Sequence, residues 1–432
     1  MTGRPGRRPR RRNPALRFGL TLVGLFVSAH AVGVHAAAES ETAYLTAARI
    51  FVAPNAAPIE DGVVAIRDGK IVAVGPRNAI AIPKATRGSA CNGGFIAAGF
   101  QNSHVHFTGA QFQDAGNQPG ETLSRRLTES LARYGFTTVV DTASERGNTL
   151  ALRSRIARGD VRGPRILTAG LPLFPPDGLP FYLAGLPKAL LDQFPQPATP
   201  DAAVKAVRAN LDGGADGTKL FVATPQRNRV VKRMPDSIAL AAAQETHRRG
   251  KLVMAHPTDV DGIRSALAAN VDIVVHTTLD DGASWPDPLI RQLVAQGVSV
   301  TPTLKLWRYE LAKGNVPETA EKALVAGALA QLKAFSDAGG DVLFGTDVGY
   351  MTDADPSDEY AMMANAGLTP MQILASLTSA PASRWKESAR RGRVATGMDA
   401  DLVVLDADPT VDARNFAKVR CTFRGGAAIY AR

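Results

Sequence analysis

The stretch "GFIAAGFQNSHVHFTG", Gly94 to Gly109, ends an apolar run in His104-Val105-His106. Alternate side chains of a strand point to one side, so the two imidazoles can aim at a single point. Neutral imidazole is the commonest side-chain metal ligand. Further donors sit in similar places. His256 in "LVMAHPTD", His276 in "DIVVHTT" and Asp347 in "LFGTDVG" each close an apolar run, and Lys219 lies within "DGTKLFVA". Singly, each has an ordinary structural role: a hydrogen-bonded core histidine, a helix-capping aspartate, a lysine reaching to water. Together they form a nitrogen and oxygen donor set of the kind that holds a catalytic divalent ion with an open position. Such an ion polarises a carbonyl and makes water a nucleophile near neutral pH.

These residues converge only if the elements carrying them lie side by side. From about residue 97 to 385 the chain alternates strand, loop and helix. The candidate strands are "FIAAGFQNSH", "FTTVVDTA" from Phe136, "PRILTAG" from Pro164, "DGTKLFVA" from Asp216, "KLVMAH" from Lys251, "VDIVVH" from Val271, "GVSVTPTL" from Gly297 and "DVLFGTD" from Asp341. Helical stretches such as "DSIALAAAQETHRRG" and "DGIRSALAAN" separate them. Eight strands alternating with helices predict an α/β fold, a (β/α)8 TIM barrel whose site lies at the C-terminal strand ends. A doubly wound sheet is the alternative, but its glycine-rich nucleotide fingerprint is absent. His247, on a predicted helix, is assigned to the surface. Both ends of the chain are β-rich, with Asp61-Gly62 and Asp68-Gly69 read as turns. The expected domains are 1–38 as a signal peptide, 39–96 and 389–432 as two parts of a small β-sandwich, and 97–388 as the metal-binding barrel.

The formal charge is +10, but seven arginines precede residue 38 and no acid does; without them the remainder carries +3. A nucleic-acid partner would require a basic patch in the folded part, which this balance does not supply. The arginine-rich start leads into "FGLTLVGLFVSAHAVGVHAAAES", whose apolar core and terminal small residues have the form of a secretory signal. Export to the periplasm or medium is expected, with no membrane attachment after cleavage. An uncleaved anchor is the alternative, although the run is short for a span and contains His30. Export would permit a disulfide between Cys91 and Cys421; two separate buried thiols are the other reading.

The segments "HVH", "GADGTKLF", "AHPTD", "VVHTT" and "FGTDVG", with the ending "GRVATGMDADLVVLDADP", resemble the amidohydrolase superfamily of metal-dependent hydrolases over residues 42–410. "DEYAMMANAGLTPMQIL" is most similar to the branch holding imidazolonepropionase-like enzymes and Xaa-Pro dipeptidases. The resemblance implies two divalent metal ions, zinc as first choice: one held by His104, His106 and Asp347, the other by His256 and His276. Lys219, carboxylated by CO₂, would bridge them. A hydroxide shared by the metals would attack an amide-type carbonyl, with Asp347 as the catalytic proton carrier. Gln101-Asn102 replaces the usual Ile-Asp before "HVH", and Thr277 stands where glycine is common.

The partner implied is a small-molecule substrate: a dipeptide, an N-acyl amino acid or a cyclic amide. "LPLFPPDGLPFYLAG" supplies an apolar wall or lid, and "TPQRNRVVKR" brings Arg227, Arg229, Lys232 and Arg233 to the mouth. Arg227 and Arg229 are candidates for a substrate carboxylate, and Tyr309, near Trp307, for substrate contact. A homo-oligomer is left open. Two rival readings remain: a mononuclear deaminase on the same barrel, against which Lys219 argues, and a non-catalytic metal-binding scaffold.

Overall fold

A computed structural model describes residues 41–84, 89–186, 188–280 and 282–432, the side chains at 189 and 229 excepted. The proposed signal segment lies outside the described residues. Seventeen strands follow in chain order. The first four are β1 (Ala43–Phe51), β2 (Ile59–Arg67), β3 (Lys70–Pro76) and β4 (Gly94–Ala98). The central ones are β5 (Phe100–Val105), β6 (Phe136–Asp141), β7 (Arg165–Thr168), β8 (Gly217–Phe221), β9 (Ala223–Pro225), β10 (Val231–Arg233), β11 (Leu252–His256), β12 (Ile273–Val275), β13 (Ser299–Thr301) and β14 (Asp341–Val342). The chain closes with β15 (Leu402–Leu405), β16 (Val419–Arg424) and β17 (Ala427–Ala431).

The two ends of the chain share one sheet, in the order β17-β16-β15-β4-β1-β2-β3. It is a single hydrogen-bonded sheet of seven strands, where two facing sheets of a sandwich were expected. Asp68-Gly69 forms the β2–β3 turn, with φ of 51° and 72°, as a tight hairpin with two left-handed residues requires. Asp61-Gly62 is not a turn; it lies inside β2, with Asp61 left-handed at φ 42°. The disulfide reading holds: Cys91 is bonded to Cys421, Cα–Cα 5.8 Å, in the apolar layer that includes Ile96, Val404 and Phe423.

The expected first barrel strand is divided. "FIAAG" belongs to β4 in the terminal sheet, and the chain crosses at Gly99 into β5. A Cβ at Gly99 would strike the Thr137 side chain, so only glycine lets the two sheets approach there. The terminal sheet therefore extends through Ala98, and the parallel strands begin at Phe100.

Eight strands of the middle region pair in parallel, as β5-β6-β7 and as β8-β11-β12-β13-β14. Helices separate them, including Asp236–Arg248 and Val260–Ala268, which match the two helical stretches named from the sequence. Strands buried on both faces read as continuous apolar runs, which made them visible in the sequence. Parallel bridges join the edges of these two sheets, Leu173 to Leu220 and Val105 to Val348. Backbone hydrogen bonds reinforce both, from Leu173 to Lys219 (2.9 Å) and from His106 to Val348 (2.8 Å). The β9–β10 hairpin interrupts what the sequence suggested was an open loop, and carries Arg227 and Arg229 near its tip.

Candidate metal centre

β5 delivers His104, and His106 follows its last residue; Asp347 comes from the extended segment after β14. His104 Nε2 lies 3.2 Å from His106 Nε2 and 3.3 Å from Asp347 Oδ1, and His106 Nε2 lies 2.9 Å from that same oxygen. The His106 tautomer follows from its other nitrogen, since Nδ1–H donates to the Ala143 carbonyl at 3.0 Å. Nε2 therefore presents a lone pair, and it faces a carboxylate oxygen. Asp347 Oδ1 is buried without a hydrogen-bond partner. Converging lone pairs repel unless a cation lies among them, so this donor set fits a divalent metal.

His276 follows β12. Its ring centroid is 4.8 Å from that of His104 and 4.9 Å from that of His256, and one ligand atom each of His104, His276 and Asp347 fall within 4.8 Å of one another. The Thr303 hydroxyl donates to the Pro302 carbonyl (2.9 Å) and accepts His276 Nδ1–H at 2.5 Å. The second His276 nitrogen is thereby left as an acceptor. His256 ends β11 and stacks on Phe221, centroids 4.6 Å apart. In register, His256 pairs with Phe221, and Lys219 precedes Phe221 by two residues on the same face.

Burial sets the protonation of these groups. It holds the His104 pKa down at about 4 and those of His256 and His276 well below the ordinary imidazole value. All three are neutral at pH 7, the form that binds metal. Lys219 is 1% exposed with no ion pair among the described residues; its Nζ lies 5.2 Å from the Phe221 ring centroid. Burial lowers its pKa to about 7. Burial raises Asp347, and the neighbouring His104 and His106 outweigh it, leaving the carboxyl well below its usual range.

A layer of polar residues orients the donors. Asn102 gives Nδ2–H to Thr346 Oγ1 (2.7 Å), while its oxygen accepts the backbone N–H of His104 and of Thr346, both at 3.2 Å. The departure Asn102 thus ties the "HVH" strand to the neighbour of Asp347. The sequence reading missed Asp141, the last residue of β6. It is fully buried and accepts the hydroxyls of Ser144 (2.5 Å), Thr168 (2.8 Å) and Thr149 (3.1 Å). Ser144 in turn accepts the Phe107 N–H at 2.8 Å, fixing the loop whose Ala143 carbonyl holds His106. An acid closing an apolar strand, as in "TVVDTA", was the available signal.

At the mouth, Trp307 donates to Thr277 Oγ1 (2.7 Å), with its ring 6.1 Å from that of His276. Tyr350, three residues after Asp347, donates to Glu310 (3.0 Å) and packs against Tyr182 (5.6 Å) and Tyr309 (6.4 Å). Lys313 lies over the rings of Tyr309 and Tyr350, at 4.2 and 4.7 Å. Tyr309 is therefore packed in this cluster. Arg233 is bound by Asp259 through two contacts, 3.0 and 2.7 Å. Arg227 is exposed and has no ion pair among the described residues; the side chain of Arg229 lies outside them. His247 sits on its helix surface, 2.8 Å from Asp272.

Four buried or half-buried imidazoles, a carboxylate and a buried lysine, carried by parallel strands or the segments that follow them, give an α/β protein with a candidate metal site at His104, His276 and Asp347. Residues 95–429 match the Amidohydrolase family, and the chain belongs to that family, hydrolases acting on carbon–nitrogen bonds. It is similar to ochratoxinase of Aspergillus niger, 23% identical over 369 residues that cover 77% of this chain and 75% of the relative. Among solved structures it resembles A. niger ochratoxinase, 20% identical with a TM-score of 0.74 over 91% of this chain and 96% of that one. A Xaa-Pro dipeptidase with bound methionine gives the same TM-score at 18% identity, over 91% and 100% of the two chains.

Proposed function

We propose that this protein is a binuclear metal-dependent amidohydrolase that cleaves an amide bond in a dipeptide or N-acyl amino acid. The observation that carries the reading is the convergence of His104 Nε2, His106 Nε2 and Asp347 Oδ1 within 3.3 Å, where the His106 Nε2 lone pair meets a carboxylate oxygen at 2.9 Å. His104, His106 and Asp347 would hold one ion, and His256 with His276 the other. Lys219 would join them as a carbamate, formed when its neutral amine adds CO₂ and releases a proton. Its burial without an acidic partner supports that assignment, because an isolated ammonium there would be costly.

When bound, the metals supply Lewis acidity toward the substrate carbonyl and toward water. The chain's own residues do the remaining work. Asp347 takes a proton from the attacking water and returns it to the leaving amine nitrogen. Thr303 and the Ala143 carbonyl hold His276 and His106 in the tautomers that present lone pairs. Trp307 packs beside His276, and Tyr182 packs on Tyr350 three residues past Asp347. The two edge bridges support an eight-stranded closed barrel, which would bring all six groups to one end. The Cys91–Cys421 disulfide supports export into an oxidising compartment.

The test is metal content and turnover of the zinc-reconstituted protein on N-acyl amino acids, dipeptides and small amines. Amide hydrolysis with two ions per chain, both lost in His104→Ala, is expected. One ion with release of ammonia from an exocyclic amine would establish deamination instead. Retained turnover in His104→Ala would remove the proposed centre.

A further inference from the structure

Thr303 stands at the N-cap of the helix Leu304–Lys313, where a threonine hydroxyl ordinarily accepts a backbone N–H of the helix's first turn. Here it caps none of them. Its backbone is left-handed, φ 43° and ψ 52°, a strained conformation for a β-branched residue. The hydroxyl turns instead to His276, whose Nδ1–H it accepts at 2.5 Å. The cap is supplied from another element. Glu359, on the helix Ser357–Asn365, accepts the Leu304 N–H at 2.9 Å with Oε1 and the Lys305 N–H at 2.7 Å with Oε2. Both Thr303 and Glu359 are buried. Glu359 follows Asp347 by twelve residues, and the segment between them is tied to the same turn: Lys305 Nζ donates to Asp353 and to the Asp355 carbonyl, both at 2.6 Å.

Two acceptors are thereby matched to two needs. A Thr303 that capped its own helix would give its hydroxyl to the helix N–H groups and lose the imidazole. Without a carboxylate beyond it, the Leu304 and Lys305 donors would be buried unpaired, a cost that a shift of Thr303 out of the left-handed region would relieve. Resting on the assignment of His276 as a metal ligand, we infer that Glu359 is a positioning residue of the centre: it caps the helix in place of Thr303, holds Thr303 left-handed, and so fixes the His276 tautomer whose second nitrogen is free to bind metal. The same carboxylate locks the turn that orients His276 to the segment that follows Asp347. Its action on the centre runs through Thr303.

The test is a double-mutant cycle on the full chain at pH 8, above the Glu359 pKa of about 7. Zinc affinity is read by chelator competition. The His276 tautomer is read by long-range proton–nitrogen NMR of the zinc-free protein with isotope-labelled histidines. Thr303→Val removes the hydroxyl that orients the imidazole and should weaken zinc binding by about 10- to 100-fold. Glu359→Ala should weaken it within that range and turn His276 from a single Nδ1–H form into a tautomer mixture. Added to Thr303→Val, Glu359→Ala should cost less than about a further twofold, because both changes act on one bond. Should Glu359→Ala not fold, Glu359→Gln, which keeps one acceptor oxygen, should move both readouts in the same direction by less. Val404→Ala, a core truncation in the terminal sheet, should lower stability and leave both readouts unchanged. Native zinc affinity with a single tautomer in the Glu359 variants, or losses that multiply in the double variant, would overturn the inference and leave Glu359 a helix cap. An equal loss of affinity in Val404→Ala would overturn it as well. The tautomer readout needs neither metal nor turnover: a chain that binds no zinc defeats the hydrolase reading, while the tautomer shift still decides the role of Glu359.

Discussion

Replacement of Asp141 separates the support of the centre from the centre itself. Asp141→Ala removes the acceptor for three buried hydroxyls, those of Ser144, Thr149 and Thr168. Each buried donor left unpaired costs about 1 kcal/mol at the low end, so the direct loss is about 3 kcal/mol. Burial already raises the Asp141 pKa, so relief of its desolvation offsets part of that loss. We expect a net destabilisation of about 2 kcal/mol in urea unfolding. The effect on metal is separate and travels through the loop. Without Asp141, Ser144 no longer fixes the Phe107 N–H, and the Ala143 carbonyl loses its aim at His106 Nδ1. Orienting groups of this kind are worth about 10- to 100-fold in metal affinity. Asp141→Asn, of equal size and retaining one acceptor oxygen, should recover roughly half of the stability. The assay is chelator competition beside urea unfolding. Full metal affinity in Asp141→Ala, with stability alone reduced, would refute the positioning role and leave Asp141 a core residue only.

Two further outcomes are expected. Glu359 is buried and caps the helix Leu304–Lys313 by accepting the Leu304 and Lys305 N–H groups, yet burial raises its pKa to about 7. The native state then holds a proton that the unfolded chain releases near pH 4.5, so stability should fall as pH rises from about 4.5 to 7, by at most about 3 kcal/mol; unfolding curves of Glu359→Gln should lack that slope. The Cys91–Cys421 bond closes a loop of 330 residues, for which chain entropy gives about 6 kcal/mol as an upper figure, or about 7 °C in Tm at roughly 0.8 kcal/mol/K of unfolding entropy; equal melting with and without reductant, after thiol counting has verified cleavage, would contradict it.

Much of the candidate centre was legible because its histidines and Asp347 close apolar runs and Lys219 interrupts one, and a strand buried on both faces cannot disguise a polar residue. Lys219, His256 and His276 stood out by occurring together in such runs. Other features depend on approaches that sequence does not encode locally. Asp141 looks like any strand-end acid until Thr149 and Thr168 arrive from separate elements. The split at Gly99 rests on Thr137, 38 residues away in the chain. Asp61-Gly62 has the composition of a turn, but pairing of β2 with β1 and β3 overrides it. Arg233 follows Arg227 by six residues in the sequence, and only the fold brings Asp259 to it.

Whether metal builds this centre or merely enters it can be decided from the backbone. His276, Thr303 and Asp347 all have positive φ, at 75°, 43° and 58°. Such conformations cost on the order of 1 kcal/mol or more for non-glycine residues and persist only where the surroundings impose them. Main-chain bonds impose them here: His276 N–H donates to Thr301 (2.7 Å), and Asp347 N–H to His104 (2.9 Å). Gly349, at φ 102°, lies so near the His106 carbonyl that no Cβ would fit. The donors are therefore held together by the sheet, against their mutual repulsion. Chelation should leave secondary structure intact and remove only the binding contribution to stability. At a metal concentration of 100 Kd that is about 2.7 kcal/mol, or about 3 °C at the entropy used above. His104→Ala, unable to hold the ion, should melt at one temperature with or without chelator. Collapse of the circular-dichroism spectrum on chelation would mean instead that the ion organises the strands, as in domains that fold only around a metal, and the preformed centre would have to be abandoned.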